Sequence, residues 1–311
     1  MATMNGRKLR QRKPATKYEM NLVDLIERYH NEDTCRADLA ELRWPSGIAC
    51  IRCGSLEIRN SYTRNQYDCG SCGYQFSVTA GTMLHDSHLP LQKWIIATYL
   101  MVEAKKGVSA NQLKRTLNVS YKTAWYLCHR IRAAMRDAYP LLLKGIVEID
   151  ETFVGGKMEG KGRGYKGNKA VVVGAVQRGG KIALQVIHAR DRVTLHEFIQ
   201  KNTADDTEAY FTDDWAPYAG IADENTRYET VNHSAKEYVR GDVHTNSVEN
   251  IWSLLKRSII GSYHKISLKH LDAYLDELEW RFNNRDNPWL FRDTLVMLLK
   301  SDHLGYKALT A

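Results

Sequence analysis

Two Cys-x-x-Cys pairs, Cys50-Ile51-Arg52-Cys53 and Cys69-Gly70-Ser71-Cys72, constrain this chain more than any other feature. Fifteen residues, Gly54 to Asp68, separate them, a gap within the range of four-cysteine zinc sites. Each knuckle offers two thiolates to one tetrahedral ion. Gly54 and Gly73 follow immediately, where the backbone has to turn tightly. Four thiolates close the coordination sphere, so a Zn²⁺ held this way is structural and not catalytic. Met1 to Pro14 is basic but has no apolar core, and so does not read as a secretion signal. Paired cysteines in such a chain point to a metal before a disulfide, and to a cytoplasmic protein. Cys35 and Cys128 stand alone and read as core thiols.

Around this ribbon, expected over residues 48–80, the pattern changes several times. Residues 1–16 read as a basic disordered arm, and residues 17–47 as a short helical segment broken near His30–Asp33. Residues 88–140 form a helical region ended by Pro140. Residues 145–290 then alternate: three strands, with a tight turn at Gln177-Arg178-Gly179-Gly180, a helix, two more strands and a helix. That order is mixed α/β and admits an RNase H-like sheet. Residues 291–311 read as a C-terminal helical tail. No apolar run is long enough for a membrane span.

Net charge is +8, and the surplus is clustered. Residues 1–30 hold seven Lys/Arg against three acids, and residues 102–137 eight against two. Clustered cations favour a polyanion, here double-stranded DNA. Ser109 to Leu117 reads as a helix capped by Ser109, Asn118-Val119-Ser120 as a turn, and Ser120 as the cap of a second helix. Helix, short turn, helix is a unit that reads the major groove. Tyr121, Lys122 and Tyr126 are its candidate DNA contacts, with Arg130 and Arg132 on or near the same helix. Arg52 and Arg64 are candidate phosphate contacts from the ribbon. His85 and His88 read as a junction loop rather than a second metal site.

Three acids carry the candidate chemistry. In the strand Ile146 to Val154, Glu148, Asp150 and Thr152 share one face. A carboxylate there is costly to bury unless a cation or partner meets it. Asp213 directly follows the strand Tyr210-Phe211-Thr212 and is preferred to Asp214. On a helix from Asn246, the residues Asn246, Glu249, Ser253 and Lys256 recur on one face, with Ile251, Leu254 and Leu255 toward a core. Two strand acids and one helix acid suit hard divalent cations, which prefer oxygen ligands. A pair of such ions about 3.5–4 Å apart supports in-line displacement at a phosphodiester.

The chain resembles the ISXO-like insertion-sequence transposases, of the DDE class with an N-terminal zinc ribbon. The resemblance rests on Tyr74 to Thr82, Glu148 to Gly156, Thr212-Asp213 with Trp215 and Tyr218, His244-Thr245-Asn246, Val248-Glu249, Trp252 to Arg257, and Arg281-Phe282-Asn283. It runs from about Cys50 to Asn283 and implies an RNase H-like catalytic domain. Asp150 and Asp213 then take the first two catalytic positions. The third is Glu249, with Asn246 one turn earlier as its rival, and 35 residues separate Asp213 from Glu249. Lys256, joined by Arg257, would face the DNA backbone. The resemblance further implies Mg²⁺ or Mn²⁺ at the acids, cutting of transposon ends with transfer of the 3′-hydroxyl to target DNA, and a homodimer or larger assembly on DNA. A catalytically silent DNA-binding regulator and a structure-specific nuclease remain alternatives. Ile51-Arg52 stands where a proline is common in such ribbons, which leaves the thiolates unaffected. Lys157 to Lys169, rich in Gly and Lys, reads as a basic loop beside the site.

Overall fold

A computed structural model describes residues 21–61, 64–136, 142–155, 169–232, 235 and 237–310. The basic arm, the end of the helical region at Pro140 and nearly all of the Lys157–Lys169 loop lie outside the described residues.

The N-terminal half opens with α1 (Leu22–Arg28) and α2 (Glu32–Arg43), each started by an asparagine side chain that accepts from first-turn amides. The ribbon follows as three short antiparallel strands, β1 (Ile58–Ser61), β2 (Gln66–Cys69) and β3 (Gln75–Phe76). Arg43 joins the ribbon to α2, donating to the carbonyls of Val78 and Ala80 at 2.6 and 2.8 Å. Next come α3 (Leu91–Glu103), α4 (Ala110–Leu117) and α5 (Tyr121–Met135). Ser109 and Ser120 cap α4 and α5 through the amides of Gln112 and Thr123. Asn118 closes α4 in the left-handed region, with φ 48°.

The second half is built on one five-stranded sheet: β4 (Ile146–Val154), β5 (Ala170–Gln177), β6 (Ile182–Ile187), β7 (Ala209–Asp213) and β8 (Arg227–Val231), with α6 (Arg192–Asn202) between β6 and β7. The spatial order is β6-β5-β4-β7-β8. The first three strands meander antiparallel, and β7 and β8 add parallel on the other side of β4. A two-residue hairpin, β9 (Val239–Arg240) with β10 (Val243–His244), leads into α7 (Asn246–Ser258). Then α8 (Leu271–Asn283), α9 (Leu290–Lys300) and α10 (Tyr306–Thr310) complete the chain. One sheet face packs on α6 through Ile149, Leu195 and Phe198, and the other on α7 and α8 through Val172, Trp252 and Leu275. No helix among the described residues is long and apolar enough to cross a membrane.

The segment expected as a C-terminal tail is instead part of the N-terminal core. Phe291, Leu295, Leu298 and Leu299 of α9 pack with Leu39, Trp94, Met101 and Ile131. The apolar stripe of α9 has no sheet surface left to cover and returns to the helices that begin the chain.

The helical unit meets the sheet unit through a buried ion pair. Arg132 of α5 donates from Nε to Glu277 of α8 at 2.6 Å, and both side chains are almost wholly buried. Tyr263 and Arg281 complete the shell around Glu277. Arg130 is also buried, donating to the carbonyl of His85 and stacking on Trp94 and Tyr126. Neither arginine is therefore available to DNA. Both are held in the core by partners contributed from distant parts of the chain.

His129, 1% exposed, sits beside this pair with its ring 4.4 Å from Trp125, 4.9 Å from His270 and 5.6 Å from Tyr274. Burial, then the charges of Arg132 and His270, push its pKa down to about 3. The unfolded chain takes up that proton first, near pH 6.5. The stabilisation is therefore complete above about pH 6.5 and is lost as the pH falls toward 3. Between pH 7 and 4.5 the wild type should lose about 2–3 kcal/mol more than His129→Phe in urea unfolding. Equal losses in the two proteins would refute the assignment.

Candidate active site

The site is organised by Glu148, which the sequence marks only as a neighbour of Asp150. Its carboxylate is fully buried at the middle of the sheet. Oε2 accepts from the backbone N–H of Ser247 at 2.7 Å and of Val248 at 3.3 Å, and Oε1 accepts from Ser247 Oγ at 2.9 Å. Those amides belong to the first turn of α7, where helix N–H groups have no intrahelical acceptor and an anion is favoured. Thr245, the residue at the cap position, makes no side-chain cap bond. Glu148 takes over that role from 99 residues away in sequence. Arg178, in the β5–β6 turn, donates to Glu148 at 2.6 Å and to the carbonyl of His244 at 3.1 Å. The buried charge thus has a cation and oriented donors, the condition on which such burial is tolerable.

With α7 fixed in this way, its next turn reaches Asp150. Trp252 Nε1 donates to Asp150 Oδ2 at 2.8 Å. The indole passes over Gly174, the cross-strand neighbour of Asp150. A Cβ at Gly174 would lie 2.5 Å from the Trp252 ring, so only glycine leaves room there. Glu148 pairs with Phe211 across the parallel β4–β7 ladder. Asp150 and Asp213 each lie two residues beyond that last pair, on the face of their strands that carries Glu148 and Phe211, and the Asp213 charge acts on Asp150. Burial pushes the Asp150 carboxyl up to about 6, against the Trp252 hydrogen bond, and the charges of Glu151 and Asp213 add to the rise. Asp214 turns away, accepting from Asn232 at 3.1 Å.

Asn246, Glu249, Ser253 and Lys256 all lie on the exposed face of α7, and Arg257 is exposed beside them. Thr245 Oγ1 donates to Glu249 at 3.4 Å. The acids do not draw together as the cysteines do. Among the described residues, only the four cysteines form a cluster of three or more converging ligand groups.

Behind β4 lies a second buried acid. Glu151 accepts from Tyr218 and pairs with Arg190, whose guanidinium lies 4.2 Å over Trp215. This network clamps the segment after β7 against the opposite sheet face, and so fixes where β7 ends. Trp215, Tyr218 and Trp252 are quoted in the sequence resemblance without a part to play. The structure gives each one a partner.

The Sγ atoms of Cys50, Cys53, Cys69 and Cys72 all lie within 4.8 Å of one another. Cys50–Cys72 and Cys53–Cys69 approach to 3.7 and 3.6 Å. A tetrahedral ion with Zn–S near 2.3 Å sets its sulfurs about 3.8 Å apart, so the quartet fits zinc. Cys35 and Cys128 are buried in the helical core with raised pKa values, burial being the main cause. Arg52 and Arg64 are exposed on the ribbon.

The helix-turn-helix contacts fare unequally. Tyr121 is 49% exposed at the start of α5. Tyr126 donates to the carbonyl of Leu304 at 2.6 Å and packs edge-on to Tyr306, and Lys122 Nζ lies 4.4 Å over the Tyr306 ring. The chain's last segment thus occupies two of the three positions expected to face DNA.

Comparison with known proteins bears on the family. Residues 142–283 match the ISXO2-like transposase domain, and residues 30–75 the transposase zinc-ribbon domain. An uncharacterized protein in transposable element ISH50 of Halobacterium salinarum is 31% identical over 268 residues, covering 78% of this chain and 88% of that protein. The chain belongs to the ISXO2-like transposase family. A transposase-like protein of Haemophilus influenzae is 27% identical over 106 residues, covering 34% of this chain and 84% of that protein. Among solved structures, the Mos1 strand transfer complex overlaps at TM-score 0.30 with 10% identity, covering 66% of this chain and 75% of that one. A simian T-cell lymphotropic virus intasome overlaps at TM-score 0.25 with 14% identity, covering 64% and 67%. Overlaps this low carry no argument about the fold.

In this family member, α7 should depend on Glu148. Glu148→Ala strands Arg178 and uncaps the helix, which should cost about 3–5 kcal/mol in chemical unfolding. Hydrogen exchange at the Ser247 and Val248 amides should accelerate selectively. A variant with wild-type exchange at those two amides would show that the cap does not hold the helix.

Proposed function

We propose that this chain is a DNA transposase that cuts insertion-sequence ends and joins the freed 3′-hydroxyl to target DNA. The observation that carries the reading is Asp150 on β4 and Asp213 at the end of the adjacent parallel β7, close enough for the Asp213 charge to act on Asp150, with Glu249 exposed on α7. The strand order β6-β5-β4-β7-β8 supports an RNase H-like catalytic domain around them. A like-charged pair that already resists ionisation at Asp150 suits a divalent cation, whose oxygen preference the donor set meets. Mg²⁺ or Mn²⁺, when bound, supplies charge stabilisation at the attacking and leaving oxygens of an in-line displacement.

The chain's own residues then have distinct tasks. Asp150 and Asp213 hold the cations. Trp252 fixes one oxygen of Asp150, which sets the direction of the other. Glu249 is the third ligand by charge, and Asn246, one turn earlier on the same exposed face, offers an amide oxygen in its place. Lys256 and Arg257 face the backbone of the bound DNA. The zinc ribbon, through Arg52 and Arg64, and the start of α5, through Tyr121, supply further DNA contacts. Two ends have to be brought together for joining, so the working form is a dimer or larger assembly on DNA.

In a strand-transfer assay with Mg²⁺, Asp150→Asn should abolish both nicking and joining. Partners of a metal ligand are worth about 10–100-fold, so Trp252→Phe should weaken Mg²⁺ activation by about that factor, and removal of the ligand itself should exceed it. Full activity in Asp150→Asn would overturn the proposal. Nicked products that are never joined would favour a nuclease instead.

Zinc in the ribbon is tested separately. Elemental analysis of the purified chain should give one zinc per molecule, lost in Cys53→Ser/Cys72→Ser. Stripping the metal should raise fluorescence changes from Trp44, which packs on Tyr67 and Phe76 at 5.6 and 5.9 Å. A metal-free chain with an unchanged Trp44 signal would count against a structural ion.

A further inference from the structure

A groove of about 290 Å³ lies beside α7, between the helical unit and the sheet unit. Three cations border it: Lys105 from the turn after α3, Arg257 from the last turn of α7, and Arg285 from the turn after α8. Ser247 and Asn250 offer polar groups along its wall, and Phe282 provides an aromatic surface. No acidic side chain lines it among the described residues. Arg285 donates to the carbonyls of Gly180 and Phe282, both at 2.9 Å, and stacks on Phe282 at 4.4 Å. Its ion pair with Asp286 is long, 3.7 Å, with that carboxylate 91% exposed, so little of its charge is neutralised. Arg257 donates to the carbonyl of Ser253 in its own helix.

The turn that carries Lys105 is anchored through its backbone. Arg281 of α8 donates to the carbonyl of Ala104, immediately before it. Gly107, immediately after Lys106, has φ +76°, and a Cβ there would lie 1.7 Å from Tyr263 Oη and 2.7 Å from Glu277. Only glycine lets this turn approach the buried Arg132–Glu277 pair so closely. The seam that joins the two units therefore also sets a lysine of the first unit against two arginines of the second.

We infer that this groove is a binding site for the phosphodiester backbone of a DNA strand running past the acids, with Lys105 and Arg285 as phosphate contacts. The inference rests on the reading that the chain works on DNA, and it adds a role for the helical unit at the catalytic face itself. Three cations brought together, with the exposed Asp286 as a weak counter-charge, attract a polyanion, and converging elements give it direction. The groove shares Ser247 and Asn250 with α7, so a strand held there stays beside the helix that carries Glu249. Phe282 suits a stacked base or sugar, a contact indifferent to sequence.

The test uses the full chain in the Asp150→Asn background, so that binding is read without cutting. A labelled duplex of mixed sequence is titrated between about 50 and 200 mM salt. Each phosphate contact contributes about 0.9 to the slope of log K against log salt, so Lys105→Gln/Arg285→Gln should lower the slope by about 1.8. Arg285→Lys in the Lys105 wild-type chain should keep the slope, because the charge is kept. Lys201→Gln/Lys300→Gln, which removes two exposed cations outside the groove, should leave it unchanged. A wild-type slope in Lys105→Gln/Arg285→Gln, or an equal fall in the control pair, would overturn the groove and leave the catalytic proposal standing. The expected slopes alongside a wild type that never nicks DNA would do the reverse.

Discussion

The arrangement of the catalytic face depends on one buried carboxylate. Glu148 sits at the middle of the sheet and accepts from the first-turn amides of α7. An uncompensated charge at that depth would cost several kcal/mol, so it is retained only because four groups meet it. Arg178 supplies the cation, and the helix supplies oriented donors with a favourable dipole. The consequence is geometric. The sheet's own central strand decides where α7 begins, and α7 in turn sets Trp252 against Asp150. A cap made by a residue within the helix would leave α7 free to slide on an apolar surface, because apolar contacts are non-directional. The Glu148 contacts remove that freedom.

A second buried charge works between units as Glu148 works within one. Glu277 gathers Arg132, Arg281 and Tyr263, and the turn around Gly107 closes on the same cluster. The two halves are further interlocked because α9, late in sequence, completes the core begun by α2 and α3. Leaving that core would expose Phe291, Leu295 and Leu298 together, at roughly 1.5–3 kcal/mol for each side chain. Hinge motion between the halves therefore has to preserve both the ion cluster and the shared core. This favours a rigid presentation of the helical unit beside the acids over two domains joined by a flexible linker.

Much of this was legible from the residues, for reasons of periodicity and local chemistry. The knuckle spacing placed the cysteines, Ser109 and Ser120 marked the helix starts, and alternation put Glu148 and Asp150 on one face. What escaped the sequence is long-range partnership. Nothing near Glu148 says that it caps a helix about a hundred residues on. Arg130 and Arg132 look like solvated cations until their partners arrive from His85 and Glu277. Tyr126 and Lys122 fit a reading helix by position, but Leu304 and Tyr306 already occupy them. Helical periodicity identified α9 without revealing which core its stripe would join. Charge and polarity are properties of single residues, whereas burial is decided by the whole chain.

These long-range contacts explain why the acids differ in environment. Asp150 lies between strands and beneath an indole, where ionisation is opposed by burial and by neighbouring acids. Glu249, on the same helix as the indole, stays in solvent. On the proposed reading this inequality suits cation binding. Asp150 defines the position, since it is buried in the sheet and burial opposes its ionisation. The outer acid closes the site, since it can move without disturbing the core. On that reading the buried Asp150 fixes where the cation sits, and Glu249 is the adaptable ligand on the face that DNA has to approach.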